Sequence, residues 1–502
     1  CCISLRHWEE TFTPLFLLIL WLICIQVFMD QGTERDFFEL LERYQDALKK
    51  GMTAFFDVDE FEEIIDYYIM QDMLDKADKA IVVGLNQHPG DITLFLKKAQ
   101  LYTARNEFKK ALRILDDIER LEPGDPDVYK HRAMIYSQSG EHKQAIVSLE
   151  QALDVSQDER DELFAQIAFE YESLGDYDQA IRHLKKALKA NPDNEGVIYE
   201  IAFCFDVSGR MEDAVAFLQE YLDHYPYSVA AWFNIGVTYN ALELYEKAVE
   251  AFDFAIAIDD TFVMAYYNKA HAYANIGLFR KAIEEYRETF KLEAPEAMTY
   301  YYIGECYERM EKHQEARENY LKSIELDDQM ADSWMGAGVC YDVLGELDQA
   351  ISFMKRATEL DELNAEFWFM LGDLYLKKGV EDQAVDAYVR VTELDPHDPE
   401  IWLDYSEIYA VSQRFDTAIP ILEKGIGLNP EQNELKYRLG AYLLLSGRRV
   451  EAFEVLENML ETDFRRHDTL FDFDPDLQKN SDLQHLIDTY RPPNRSMQQG
   501  LS

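Results

Sequence analysis

The chain is short of helix breakers. It has 22 glycines and 14 prolines in 502 residues, which excludes a collagen-like or low-complexity protein. Cysteine is scarce too. Cys1, Cys2, Cys24, Cys204, Cys306 and Cys340 are spaced for neither a disulfide framework nor a zinc site, so a reducing compartment is expected. Basic residues number 49 against 96 acidic ones, a net charge of −47. A surface of that sign repels a phosphate backbone, and no nucleic-acid partner is expected. The acidity has two readings: solubility of an elongated molecule, or attraction to a basic partner. Catalytic motifs are missing as well. There is no glycine-rich phosphate loop, no His-Glu-x-x-His and no Gly-x-Ser-x-Gly, and the 11 histidines are scattered. Asp472, Asp474 and Asp476 begin like a calcium loop, but Leu477 and Leu483 stand where the glycine and the bidentate glutamate are needed. No enzyme activity, cofactor or metal is expected.

What the chain has in quantity is apolar bulk. Hydrophobic residues make up 48%, with 31 tyrosines and 29 phenylalanines, which suits a folded, mostly helical protein. It also repeats. Ala77, Ala111 and Ala145 are 34 residues apart, and from Ala180 to Ala452 the same step recurs, with a single step of 35 between Ala145 and Ala180. The extra residue fits the turn-like stretch 155–158. Twelve residues before each alanine stands a small residue, as in Ala99, Gly304, Gly338, Gly372 and Gly440; only the first unit departs, with Ile65. Nine before it is an aromatic in most units, as in Tyr68, Tyr239 and Tyr409, and four after it a large apolar residue, as in Leu115, Tyr320 and Leu456. Six units carry proline twelve after the alanine, and Trp232, Trp334, Trp368 and Trp402 lie sixteen before it. Spacings near 3 and 4 define one helical face, and the proline ends the second helix. Each unit is therefore two antiparallel helices that bury their apolar faces only by stacking on neighbours. By the same pattern Cys204, Cys306 and Cys340, two places after the small residue, are small core residues.

The unit of Trp368, Leu371, Gly372, Tyr375, Ala384, Tyr388 and Pro396 resembles the tetratricopeptide repeat, departing only in tyrosine for the usual phenylalanine. The resemblance spans 58–464 and includes long bacterial arrays of this kind. It implies an all-α, right-handed superhelical α-solenoid of about twelve helix-turn-helix units with helical caps. Residues 30–57 read as an N-terminal capping helix and linker, with the helix over 33–51, Thr33 as its N-cap and Phe37, Leu40, Leu41, Tyr44 and Leu48 as its face. Residues 465–490 read as a C-terminal cap and 491–502 as a disordered tail. Residues 11–29 are uncharged, with an unbroken apolar run from Leu15 to Ile25. Three readings stand for them: a chain that truly starts at Met29, a membrane anchor, or a signal peptide lacking its basic flank and cleavage site.

The resemblance also implies a function, binding of a peptide or protein in the groove lined by the first helices. Carried over unit by unit, the groove residues are Tyr199, Phe203, Phe233, Asn234, Tyr267, Asn268, His271, Tyr301 and Tyr302, all expected to be open to the groove. Asn234 and Asn268 are 34 apart, and each offers a donor and an acceptor to a peptide backbone. The inner places from Glu162 to Glu305 hold no lysine or arginine, so a C-terminal carboxylate would find no cation. The expected partner is a neutral or basic protein segment, and the expected role a cytoplasmic scaffold. The alternative is a membrane-anchored assembly factor held by 11–29.

Overall fold

Helices form where the repeat places them. The computed structural model describes residues 31–50, 54–156 and 158–491. Among these, twenty-four α-helices run in twelve successive pairs from Val58 to Thr462, and there is no strand. The chain divides into two compact units, Cys1–Glu243 and Leu244–Ser502, and within each unit consecutive helices pack on one another. Residues 1–30 lie outside the described residues, and with them the apolar stretch 11–29. Among the described residues no helix is long and apolar enough to cross a membrane.

The core explains each repeated letter. The twelve repeat alanines are at most 2% exposed, because here the two helices of a pair touch. The small residue and the large one sixteen places later are direct partners. A Cβ on Gly304 would come within 2.7 Å of the Tyr320 ring, one on Gly372 within 2.7 Å of the Tyr388 ring, and one on Gly440 within 2.4 Å of Leu456 Cδ2. The tryptophans pin the approach to the first helix. The indole N–H of Trp232, Trp334, Trp368 and Trp402 donates to the carbonyl six residues earlier, at 2.8–3.0 Å. Several first helices are capped by the residue in one repeat place: the side chains of Asp91, Asp125, Ser228, Asn364 and Asp398 accept from backbone N–H groups of the first turn.

The turn inside each pair also repeats. A left-handed residue follows each first helix at 72, 106 and 140, then every 34 residues from 175 to 447. Seven of these are glycine; Asp72, Asn106, Glu243, Glu311 and Gln413 adopt the same φ of 53–59°. The one step of 35 falls between Gly140 and Gly175, and helices His142–Val155 and Arg160–Ser173 flank the extra residue, as the sequence predicts.

Two details at the ends differ from expectation. The first described helix, Gln31–Lys50, begins before Thr33, so Thr33 lies within the helix and not at its N-cap position. Leu41 and Tyr44 are buried against Phe56 and Phe61, but Leu48 is 48% exposed, since the helix turns that side to solvent. At the other end two 3₁₀ helices, Phe464–Phe471 and Pro475–Lys479, and the helix Ser481–Tyr490 bring Leu470, Phe471, Leu477, Leu483, Leu486 and Ile487 onto Tyr437, Leu456 and Leu460. Asp474 there accepts from the Asp476 N–H as an N-cap, an ordinary structural task.

Candidate functional site

In the first unit the helix Gly196–Val207 turns Val197, Ile198, Ile201, Cys204 and Phe205 into the core. Its other face carries Tyr199 and Phe203, one helical turn apart and 39% and 52% exposed. The next first helix, Val229–Ala241, stands beside it, and the two enclose a cleft of about 300 Å³. Tyr199, Phe203, Asp206, Asn234, Val237 and Thr238 line it. The structure thus brings four predicted groove residues of this unit to one place, with two corrections. Phe233 is 9% exposed, not open: its ring packs 6.1 Å from that of Tyr199 and supports the cleft from behind. Asn234 is also buried, and its Nδ2 donates to the Ala230 carbonyl at 2.8 Å.

The electrostatics of this face come from three carboxylates that the sequence reading passed over. Burial pushes Glu200 up to about 7, with Glu172 adding to the shift. Burial also raises Glu172, partly offset by a bond from the Cys204 thiol at 3.2 Å, and raises Asp206. Among the described residues none of the three meets a lysine or arginine. Cys204, Cys306 and Cys340 are buried and free, and burial pushes the last two up to about 12, so they are packing groups rather than nucleophiles.

In the second unit Tyr267, Asn268 and His271 lie on Val263–Asn275, and Tyr301 and Tyr302 on Ala297–Arg309. Here the tyrosines serve one another. Tyr267 and Tyr302 meet edge-on at 5.7 Å, Tyr302 stacks on buried Tyr286 at 5.9 Å, and Tyr301 lies 5.8 Å from Tyr320. Their hydroxyls are engaged as well: Tyr301 donates to Glu305 at 3.1 Å and Tyr320 to Glu308 at 2.7 Å. Asn268 repeats the Asn234 geometry, donating to the Met264 carbonyl at 2.9 Å. His271 is exposed, yet the walls around it hold its pKa below the usual value.

A larger cleft, about 410 Å³, lies between helices Pro126–Gln138 and Arg160–Ser173 and includes Lys130, Met134, Gln166, Phe169 and Glu170. Glu170 is 5% exposed and bonded to the ring of His142 at 2.8 Å. Lys130 is neutralised by Asp127 and Glu159. The signal was in the repeat: Met134 and Phe169 occupy the Phe203 place of the two preceding units.

Tetratricopeptide-repeat models match residues 126–159, 173–235 and 229–262, two of them starting at the first residue of a helix pair. A model of the cilia and flagella-associated protein 70 C-terminal domain matches 257–469. No curated protein matches the sequence significantly. Solved structures of similar fold include MamA, at 25% identity over 32% of this chain and 95% of that one, with a TM-score of 0.31. YrrB, described as a repeat protein with an unusual peptide-binding site, is 18% identical over 36% of this chain and 92% of its own, with a TM-score of 0.31. The Cut9–Hcn1 assembly is 15% identical over 81% of this chain and 99% of that one, with a TM-score of 0.36. Two of the repeat models begin on a helix pair, and the chain belongs to the tetratricopeptide-repeat superfamily, a protein-interaction scaffold of that class.

Proposed function

We propose that the chain is a non-catalytic adaptor that holds an extended, neutral or basic segment of a partner protein, with the Tyr199–Phe203–Asn234 cleft as its main contact. The observation behind this is the pairing of open aromatics with acids that lack a cation. Tyr199 and Phe203 offer contact area at low entropic cost. Glu172, Glu200 and Asp206 would receive a lysine or arginine, which would draw the Glu200 pKa down and release a proton. Asn234 would pair with the segment's backbone only after its amide turns away from Ala230. Tyr267, Asn268, His271, Tyr301 and Tyr302 are read as a second, weaker contact, because their rings and hydroxyls are already engaged. A partner's C-terminal carboxylate is disfavoured, since only acids would meet it. Buried, free thiols suit a cytoplasmic setting.

Peptide display on the full chain tests the reading. Selected peptides should be rich in lysine and arginine, and their binding should drop with Tyr199→Ala and Phe203→Ala. Both residues are exposed, so the fold should survive. Acid-rich peptides, or binding indifferent to both changes, would sink it. A second reading rests on the match to the domain of a cilia and flagella-associated protein, which covers 213 of the 502 residues. On that reading residues 257–469 serve an assembly associated with cilia or flagella.

A further inference from the structure

The most basic of the described helices, Tyr177–Ala190, runs against the charge of the whole chain. It holds Arg182, Lys185, Lys186 and Lys189 against one acid, Asp178, and Asp178 is already paired with Arg210. All four cations are exposed, and among the described residues none has a carboxylate at ion-pair distance. Elsewhere partly buried lysines are clamped: Lys97 by Glu62 and Asp66, Lys269 by Asp253 and Glu285. In a protein of net charge −47, four exposed cations on one helix with no carboxylate at ion-pair distance form a local basic patch.

Beside them lies an aromatic floor. Lys185 and Lys189 border a cleft of about 270 Å³ whose base is Phe217, Tyr221 and Tyr225, at the second helix of the next pair, Met211–His224. Tyr221 and Tyr225 stack at 4.7 Å, and Lys185 Nζ stands 4.5 Å above the Phe217 ring. Tyr221 is held rigid by donating to the Pro192 carbonyl at 3.1 Å. Glu220 is the one acid at this cleft, and His224 completes the rim. A second cleft of about 390 Å³ shares Tyr221, His224 and Tyr225 and extends the floor to Tyr227, which is 82% exposed; Asp193 and Glu195 line that far part, so the basic edge of the surface is at Lys185 and Lys189. Exposed, clustered aromatics of this kind mark interaction surfaces. None of these residues lines the Tyr199 cleft.

We propose that this surface docks an acidic segment of a protein partner, with its carboxylates on Lys185 and Lys189 and an apolar side chain on the Phe217–Tyr221–Tyr225 floor. The charge of the occupant follows from complementarity at the first cleft, where Lys185 and Lys189 stand against one acid, Glu220. Screening confines the repulsion of the rest of the chain to about 8 Å at physiological salt, so the nearest charges decide the contact. A rigid aromatic recess favours an inserted side chain over the flat surface of an anionic bilayer.

The test titrates the full chain with a fluorescein-labelled peptide, Glu-Asp-Phe-Glu-Asp-Glu, read by anisotropy. Controls are the same peptide with glycine for phenylalanine, and vesicles containing phosphatidylserine. The acidic peptide should bind, and Lys185→Glu with Lys189→Glu should weaken it roughly tenfold or more. Phe203→Ala, which tests the other cleft, should leave it unchanged, so the two readings fail independently. The glycine peptide should bind more weakly. The proposal is overturned if the doubly reversed chain binds as tightly as the wild type while its helical circular dichroism is intact. It is equally overturned if the wild type shows no binding up to about 1 mM peptide, if the glycine peptide binds equally, or if the two lysines serve vesicle binding instead.

Discussion

Glu200 faces inward from the open side of its helix, in a setting that raises its pKa to about 7 from 4.5. Between those two values the folded chain keeps a proton that the unfolded chain has released. Stability from this group therefore falls as pH rises from about 4.5 to about 7, and the cost is fully present above 7. Glu200→Gln removes the titration. It should stabilise the protein at pH 8 by on the order of 1–3 kcal/mol and change little at pH 4.5. Urea unfolding of both proteins at the two pH values checks this, and an equal shift at both would remove the buried charge as the cause. The repeat gave no warning of Glu200 or Glu172, because acids at these places are ordinary in a chain with 96 of them. Their meaning depends on which charges stand near, and Cys204 and the neighbouring helix supply that only after folding. Phe233 is the opposite case. Its letter and place match open neighbours, yet the packing of Tyr199 over it closes it off.

At the scale of the element, the turn inside each helix pair needs one residue with positive φ. Glycine fills seven of the twelve places, and Glu243, Glu311 and Gln413 fill three others at φ 58–59°. An L-residue in this region is strained by about 1–2 kcal/mol, and glycine gives back part of that gain through its freer unfolded chain. Glu311→Gly should therefore stabilise by about 0.5–1 kcal/mol, read as a higher midpoint in thermal or urea unfolding. The same change at Glu308, inside the helix Ala297–Arg309, should destabilise, because it loses both helix propensity and the bond from Tyr320. In the sequence this turn is marked only by glycines such as Gly140, Gly175 and Gly209 in one repeat phase, a weaker signal than the alanines and aromatics because other residues fill five of the twelve places.

The whole molecule depends on contacts between neighbours in sequence, so its ends are its weak points. Tyr437 is fully buried, and its hydroxyl donates to the Asp463 carbonyl at 2.8 Å, under the cover of residues 464–490. A chain ended at Asp463 should lose hydrogen-exchange protection in Asn433–Leu445 and Arg449–Thr462, while amides of the first unit keep theirs. Unchanged protection in those two helices would mean that the terminal segment covers nothing of consequence.

The sequence by itself determined the helix pairs, their 34-residue register, the place of the one insertion and the core partners at each level. These follow from local periodicity and from the sizes of side chains that must meet within a pair, and both are written in the order of residues. The tertiary structure alone decided which surface residues act together. It closed Phe233 and Asn234, joined Tyr199 and Phe203 to Asp206, tied the tyrosines of the second unit into one cluster, and left Lys185 and Lys189 unpaired above an aromatic floor. The reason is physical: exposure, desolvation and charge balance are set by neighbours a repeat or more away, and the period of a sequence carries no record of them.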